Sequence, residues 1–238
     1  MRPRIICHMM SSVDGKLHPS RYSKPQGADK RILHAHYDRT AATFAADGWM
    51  VGRVTMAEMV KDERPASVLA SASAPRVPWI NPDRGAMLAI GLDPNGKLHY
   101  ARPTVGDEHI VAVLGEHVTD AYLAELRDTG VSYVFAGRDG RDLQEGVEAL
   151  GRELGTRRLL LEGGAAINAA FLKAGLIDEL SLLVYPGIDG VAGVQSIIEG
   201  PEAARPGYGQ SLSFKSVDVL EGGMVWLRYD VTAALHID

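Results

Sequence analysis

From residue 86 onward the chain alternates short apolar runs with stretches of helical spacing, then closes on two β-like segments joined by Glu221-Gly222-Gly223. Few architectures accept that order. Ala86–Leu92, His109–Leu114, Val131–Ala136, Arg158–Leu161 and Glu179–Tyr185 read as strands, being short, apolar and bounded by turn residues. Between them, Tyr122, Leu123 and Leu126 follow a Thr119-Asp120 cap, and Leu143, Val147, Leu150 and Leu154 recur at helical spacing. A helix over Ala165–Lys173 closes at Gly175. Leu212–Leu220 and Met224–Tyr229 then predict a long hairpin. Strand–helix alternation finished by an antiparallel pair implies an α/β fold, a mostly parallel central sheet with helices on both faces.

The first half fits the same plan. Arg4–Met10 is a buried strand ending in a Ser-Ser-x-Asp-Gly turn, and Asp29 caps a helix running to about Ala46. Trp49–Gly52 is a brief strand, with a helix from Arg53 to Lys61. Residues 62–85 carry Pro65, Pro75, Pro78 and Pro82, and their length marks a lid or substrate loop. No linker interrupts the pattern, so residues 1–238 are read as one domain.

Composition narrows the function. The 238 residues are 46% hydrophobic, enough for a full core, and the net charge of −5 is the wrong sign for a partner made of phosphate backbone. No apolar run approaches the ~18 residues of a membrane span. The stretch Ile5–Met10 is shorter than the roughly 7–15 residues of a secretory core, so a cytoplasmic protein is expected. Cys7 is the lone cysteine, which rules out an intrachain disulfide and paired-thiolate zinc sites. His34 and His36 stand two apart and turn to different helix faces, and no metal is expected.

Three turns at strand ends carry chemistry, since ligands of open α/β sheets bind beyond the carboxyl ends of the strands. In Leu161-Glu162-Gly163-Gly164-Ala165-Ala166-Ile167-Asn168 a strand delivers a carboxylate, two glycines turn the backbone, and a helix begins. Its free N–H groups suit a pyrophosphate, although a tight βα turn accounts for the glycines equally well. In Val51-Gly52-Arg53-Val54-Thr55 an arginine fork and a hydroxyl suit phosphate oxygens, or are a solvated side chain and a cap. In Ser12-Val13-Asp14-Gly15-Lys16 an ammonium sits just past the first strand. The dinucleotide fingerprint, the G-x-x-x-x-G-K-[ST] loop and the nucleophile elbow are missing. On the residues alone, the reading ends at a phosphorylated cofactor or substrate held by two strand–glycine–helix turns.

Taken together, Ser12-Val13-Asp14-Gly15-Lys16, Val51-Gly52-Arg53-Val54-Thr55, Leu160-Leu161-Glu162-Gly163-Gly164 and Ala174-Gly175-Leu176-Ile177-Asp178-Glu179-Leu180, in that order, resemble the reductase of riboflavin biosynthesis. That reductase occurs alone or as the C-terminal half of a deaminase–reductase, and has the dihydrofolate-reductase-like fold. The resemblance runs from about residue 4 to 230. The zinc deaminase half, with its His-x-Glu and Pro-Cys-x-x-Cys, has no counterpart here.

The resemblance implies NADPH-dependent hydride transfer to the ribose C1′ of a phosphoribosylamino-pyrimidine, which opens to a ribityl chain. It implies that Lys16 meets the ribose-phosphate portion and Glu162 the polar edge of the pyrimidine. Ser20, Asp14 and Arg39 would bind substrate. Met10 would border the nicotinamide and Tyr22 would touch NADPH. Gly52, Arg53 and Thr55, with Gly163, Gly164, Ala165, Ala166, Ile167 and Asn168, would hold its phosphates. The family's Val-Leu-x-Asp-Asp-Pro is replaced by Met56-Ala57-Glu58-Met59-Val60-Lys61, so one expected aspartate contact has no counterpart. A related reductase of a pterin or other small substrate, or a non-catalytic nucleotide-binding protein, are the competing readings. A homodimer is implied too, because the hairpin would otherwise leave an exposed edge.

Overall fold

A computed structural model describes residues 1–17, 19–22, 29–60, 75–200 and 210–232. Along the chain run β1 (Arg4–Ser12), α1 (Lys30–Ala42), β2 (Gly48–Gly52), α2 (Arg53–Met59) and β3 (Leu88–Leu92). Then come β4 (Thr104–Val105), β5 (Glu108–Leu114), α3 (Asp120–Thr129), β6 (Ser132–Phe135), α4 (Leu143–Leu154) and β7 (Arg158–Leu161). The last elements are α5 (Ala165–Lys173), β8 (Glu179–Tyr185), β9 (Ser211–Val219) and β10 (Val225–Thr232). The chain divides into an internal unit, Asp47–Leu159 with Met1–Pro3, and a flanking unit, Arg4–Ala46 with Leu160–Asp238.

In the internal unit β2, β3, β5 and β6 pair in parallel, and the short β4 adds antiparallel to β5. Thr119 caps α3 by accepting the Tyr122 N–H, and Asp142 caps α4 by accepting that of Glu145. Gly130 and Gly155 end those helices in the left-handed region, where a Cβ would be strained. Met56, Tyr100, Leu123 and Tyr133 fill the core beneath.

Lys61 of the replaced Met56–Lys61 stretch and residues 62–74 of the expected lid lie outside the described residues. The remainder of that lid, 75–85, is pinned rather than free. Arg76 donates to the carbonyls of Glu116 and Val118 and pairs with Asp120, while Trp79 exchanges backbone bonds with Tyr133 at 3.0 and 2.9 Å.

In the flanking unit β1 pairs in parallel with β8, from Ile6 opposite Glu179 to Ser12 opposite Tyr185. β10 runs antiparallel to β8, and β9 antiparallel to β10. Helix α1 starts at the predicted Asp29 cap but stops at Ala42, four residues short of expectation. Thr43, Phe44 and Ala45 turn inward through three-residue bonds, with Ala45 at φ 45°, so that Phe44 lies edge-on to Trp226 and under the Arg228 guanidinium. The apolar centre here gathers Met10, Tyr22, Leu33, Leu183, Tyr185 and Met224.

Two polar groupings sit inside this unit. Buried His8 accepts from the Ser181 hydroxyl at Nδ1 (2.9 Å) and donates from Nε2 to the Tyr37 carbonyl (3.2 Å). The Trp226 indole donates to Ser181 Oγ (2.8 Å), and the Tyr37 hydroxyl returns a bond to the His8 carbonyl (2.9 Å). Every member is partnered, which a buried polar chain requires. Glu179, also buried, is met by Arg4 (3.0 Å), Lys215 (2.7 Å) and Arg228 (2.5 Å).

Cross-strand register fixes what the opposite face carries. Leu180, Leu182 and Val184 on β8 stand beside Tyr229, Leu227 and Val225 on β10, which stand beside Phe214, Val217 and Val219 on β9. A bulge leaves Lys215 without a partner and shifts the alternation, which brings Phe214 and Val217 to the same side. The result is an apolar sheet face, with Phe214 64% and Val219 77% exposed.

Candidate active site

β1 and β8 are parallel neighbours, so the turns leaving them emerge at the same edge of the sheet. The turn after β1 is tightly built. Gly15 donates its N–H to the Ser12 carbonyl and takes φ +77°, while the Ser12 hydroxyl accepts the Lys16 N–H at 2.9 Å and donates to Asp14 at 2.6 Å. The Asp14 carboxylate also accepts the N–H groups of Asp189 (3.0 Å) and Gly190 (2.9 Å), and the Ser12 hydroxyl first, with these two amides after it, holds it well below the usual carboxylate range. Lys16 extends its ammonium to the Val194 carbonyl at 3.1 Å, and the Tyr22 hydroxyl donates to the Lys16 carbonyl at 2.6 Å.

Glu162 follows β7 and is half-buried. Its carboxylate lies close enough to influence two acids that burial already suppresses. The Cys7 thiol is pushed up to about 12, and the Tyr37 phenol is raised well above its ordinary value, in both cases by burial first and the Glu162 charge second. Tyr37 therefore stays a hydroxyl. Gly163, at φ +98°, makes the turn that only glycine adopts without strain, and a Cβ there would sit 3.2 Å from the Met9 methyl. Gly164 begins α5 with no side-chain cap, and its carbonyl accepts the Ile167 and Asn168 N–H groups at 3.1 Å. The N–H groups of Ala165 and Ala166, in the first turn, have no intrahelical acceptor by the geometry of a helix start. Together with the helix dipole they favour an anion.

The sequence-predicted residues fall as follows. Asp14 and Lys16 lie at the turn after β1, Glu162, Gly163 and Gly164 at the turn after β7, and Ala165, Ala166 and Ile167 in the first turn of α5, all in the flanking unit. Ser20 is exposed on a short 3₁₀ turn, Pro19–Arg21, whose Arg21 grips Asp189 at 2.7 Å. Met10 and Tyr22 are buried in the core of this unit, the Tyr22 ring tilted against Tyr185 with centroids 4.7 Å apart. Arg39 is exposed near the end of α1 and donates to His36 Nδ1, while His36 Nε2 donates to the Glu221 carbonyl at 2.9 Å. Asn168 is fully buried, its amide nitrogen donating to the Ile197 carbonyl at 2.8 Å. Gly52, Arg53 and Thr55 belong to the internal unit, where Gly52 begins α2 without a side-chain cap and Arg53 is exposed.

Sequence reasoning missed Tyr37 and His8, whose role depends on contacts with a helix and a strand far away in the chain. An aromatic three residues before Thr40 on a helix, and a histidine inside an apolar strand, were the available signals. It also missed residues 187–199, whose bonds to the turn after β1 and to α5 run through their own backbone carbonyls and amides.

Residues 3–226 match the RibD C-terminal domain. The chain is 27% identical over 201 residues to the 2,5-diamino-6-ribosylamino-4(3H)-pyrimidinone 5′-phosphate reductase of Methanothermobacter thermautotrophicus, covering 84% of this chain and 85% of that one. It is 28% identical over 205 residues to the Aquifex aeolicus protein of the same name, covering 84% of each. Among solved structures, a pyrimidine reductase-like protein from Corynebacterium diphtheriae superposes with a TM-score of 0.63 at 18% identity, over 97% of this chain and 92% of that one. The fold is thus the α/β, dihydrofolate-reductase-like one that the sequence led us to expect, with its mostly parallel strands and antiparallel C-terminal pair.

Proposed function

This chain belongs to the RibD C-terminal domain family, and from that premise we propose that it reduces a ribosylamino-pyrimidine phosphate of riboflavin biosynthesis with NADPH. What supports the reading is that Lys16, Glu162 and the start of α5, one cation, one carboxylate and an anion-favouring helix end, all follow strand ends of one unit. The reading takes residues 1–238 as one reductase domain.

When bound, NADPH supplies a hydride to C1′ of the opened ribose. The chain's own residues do the rest. The N–H groups of Ala165 and Ala166, backed by Gly163 and Gly164, bind phosphate oxygens of the cofactor. Gly52, Arg53 and Thr55 have the same proposed task on the internal unit, Arg53 as a planar donor and Thr55 as a hydroxyl. Lys16 pairs with the ribose-phosphate portion, and its tether to Val194 limits where the ammonium can stand. Glu162 accepts the amino groups of the pyrimidine, whose donors match a carboxylate. Ser20 and Arg39, both exposed, bind further polar parts of the substrate. No nucleophile is needed, because catalysis here consists of orientation and electrostatics around a cofactor.

The same reading includes a homodimer. At ~4.8 Å between strands and ~3.3 Å per residue, the apolar face of β8, β10 and β9 has a footprint of a few hundred Å², the size at which exposed patches mark interaction sites. A second copy of the same face is the self-complementary partner a two-fold dimer requires.

The deciding experiment is turnover of the diaminopyrimidinone phosphate, followed by loss of reduced-nicotinamide absorbance. Lys16→Ala and Glu162→Gln should each lower kcat/KM by about a hundredfold, on the order of a lost charge-assisted contact in the transition state. Failure of the purified protein to bind NADPH, or to oxidise it with this substrate, overturns the assignment.

A further inference from the structure

If Lys16 and the start of α5 serve one reaction, their separation has to be fixed, and a single segment touches both. Residues 187–199 leave β8 and run past the turn after β1. There the Gly187 carbonyl accepts the Val13 N–H (2.8 Å), Asp14 accepts the N–H groups of Asp189 and Gly190, Val194 receives the Lys16 ammonium, and Gln195 accepts the Leu17 N–H (2.9 Å). Farther on, Ile197 accepts the side-chain N–H of Asn168 (2.8 Å), and Glu199 donates its N–H to the Ala165 carbonyl (3.2 Å). Ile188 and Val191 are exposed, so this segment is held by hydrogen bonds at its two ends rather than by burial.

The side chains at those ends already hold the segment. One Asp14 oxygen takes the Ser12 hydroxyl and the Asp189 N–H, the other the Gly190 N–H. Asn168 is 0% exposed, its nitrogen given to Ile197 and its Oδ1 enclosed without a hydrogen-bond partner among the described residues. We propose that residues 187–199 are a tie between the turn carrying Lys16 and the first turn of α5, and that Asp14 and Asn168 are positioning residues at its two ends. The proposal rests on the function above in what the tie positions, but its existence is tested without turnover.

The test is amide hydrogen exchange on the full chain, because each clasp then reports on the far end. Asn168→Ala should speed exchange at the Leu17 and Gly190 amides at least tenfold, and Asp14→Ala should do the same at Glu199, with the amides of β5 unchanged. Faster exchange confined to the mutated end overturns the tie. Asp14 is exposed, so its variant carries the test if Asn168→Ala fails to fold. Given turnover, each variant should raise KM for both cofactor and pyrimidine, with the double variant no worse than the weaker single. Direct ligand contacts would instead give one KM effect each, and an additive double variant. Asp14→Asn, which keeps an acceptor for the loop amides, should recover part of the loss. Absence of turnover with linked exchange rejects the reductase reading alone.

Discussion

Gly163 is the residue at which backbone conformation and packing make the same demand. Its φ of +98° lies where an L side chain is strained, and the space a Cβ would take belongs to Met9. Gly163→Ala should therefore cost about 1–3 kcal/mol in urea unfolding, the range for a forced left-handed residue. His8 makes a different demand. Burial lowers its imidazole to about 4 from an ordinary 6.5, since the charged form loses water and its Nδ1 is needed as an acceptor. The unfolded chain thus binds the proton more readily than the folded one. The neutral histidine's contribution is whole above pH 6.5 and is lost as pH falls from there toward 4, a loss of about 3 kcal/mol. Urea midpoints measured between pH 7 and pH 4 should decline over that window, and His8→Gln should flatten the decline.

Among the elements, β8 shows why some of the fold was legible and some was not. The presence of α4, β7 and α5 follows from the spacing of Leu143, Val147, Leu150 and Leu154, the apolar run of Arg158–Leu161 and the glycines around α5, all local signals. In β8, hydrophobicity would turn Leu180, Leu182 and Val184 inward. The structure instead buries Glu179, Ser181, Leu183 and Tyr185. The partners that make this tolerable, Arg4, Lys215 and Arg228 for Glu179 and His8 for Ser181, come from other strands and cannot be read from β8 itself. The candidate site divides the same way. Glycine turns disclosed Lys16 and Glu162, whereas Tyr37 and the 187–199 segment act through contacts remote in sequence. Glu179→Ala would remove the carboxylate that Arg4, Lys215 and Arg228 share, leaving Asp230 to Arg4 and Lys215, and should destabilise the chain by about 1–2 kcal/mol in denaturant unfolding.

For the whole molecule, the apolar face on β8, β10 and β9 is the feature with the largest consequence. Phe214→Asp places a charge in its midst without disturbing a buried side chain, since Phe214 is 64% exposed. If the proposed dimer forms through this face, sedimentation velocity should show a dimer for the wild-type chain and a monomer for the variant, with the circular dichroism spectrum retained. A wild-type monomer at micromolar concentration would refute the dimer. The irregularity at Lys215 bears directly on that surface. A ribbon's side chains alternate like a two-letter code, and one unpaired residue acts on it as a single-base insertion acts on a reading frame. Deleting Lys215 would remove the irregularity and leave Leu212, Phe214, Val217 and Val219 at every second position, so the greasy plane would survive in a regular ribbon while a counter-ion of Glu179 is lost.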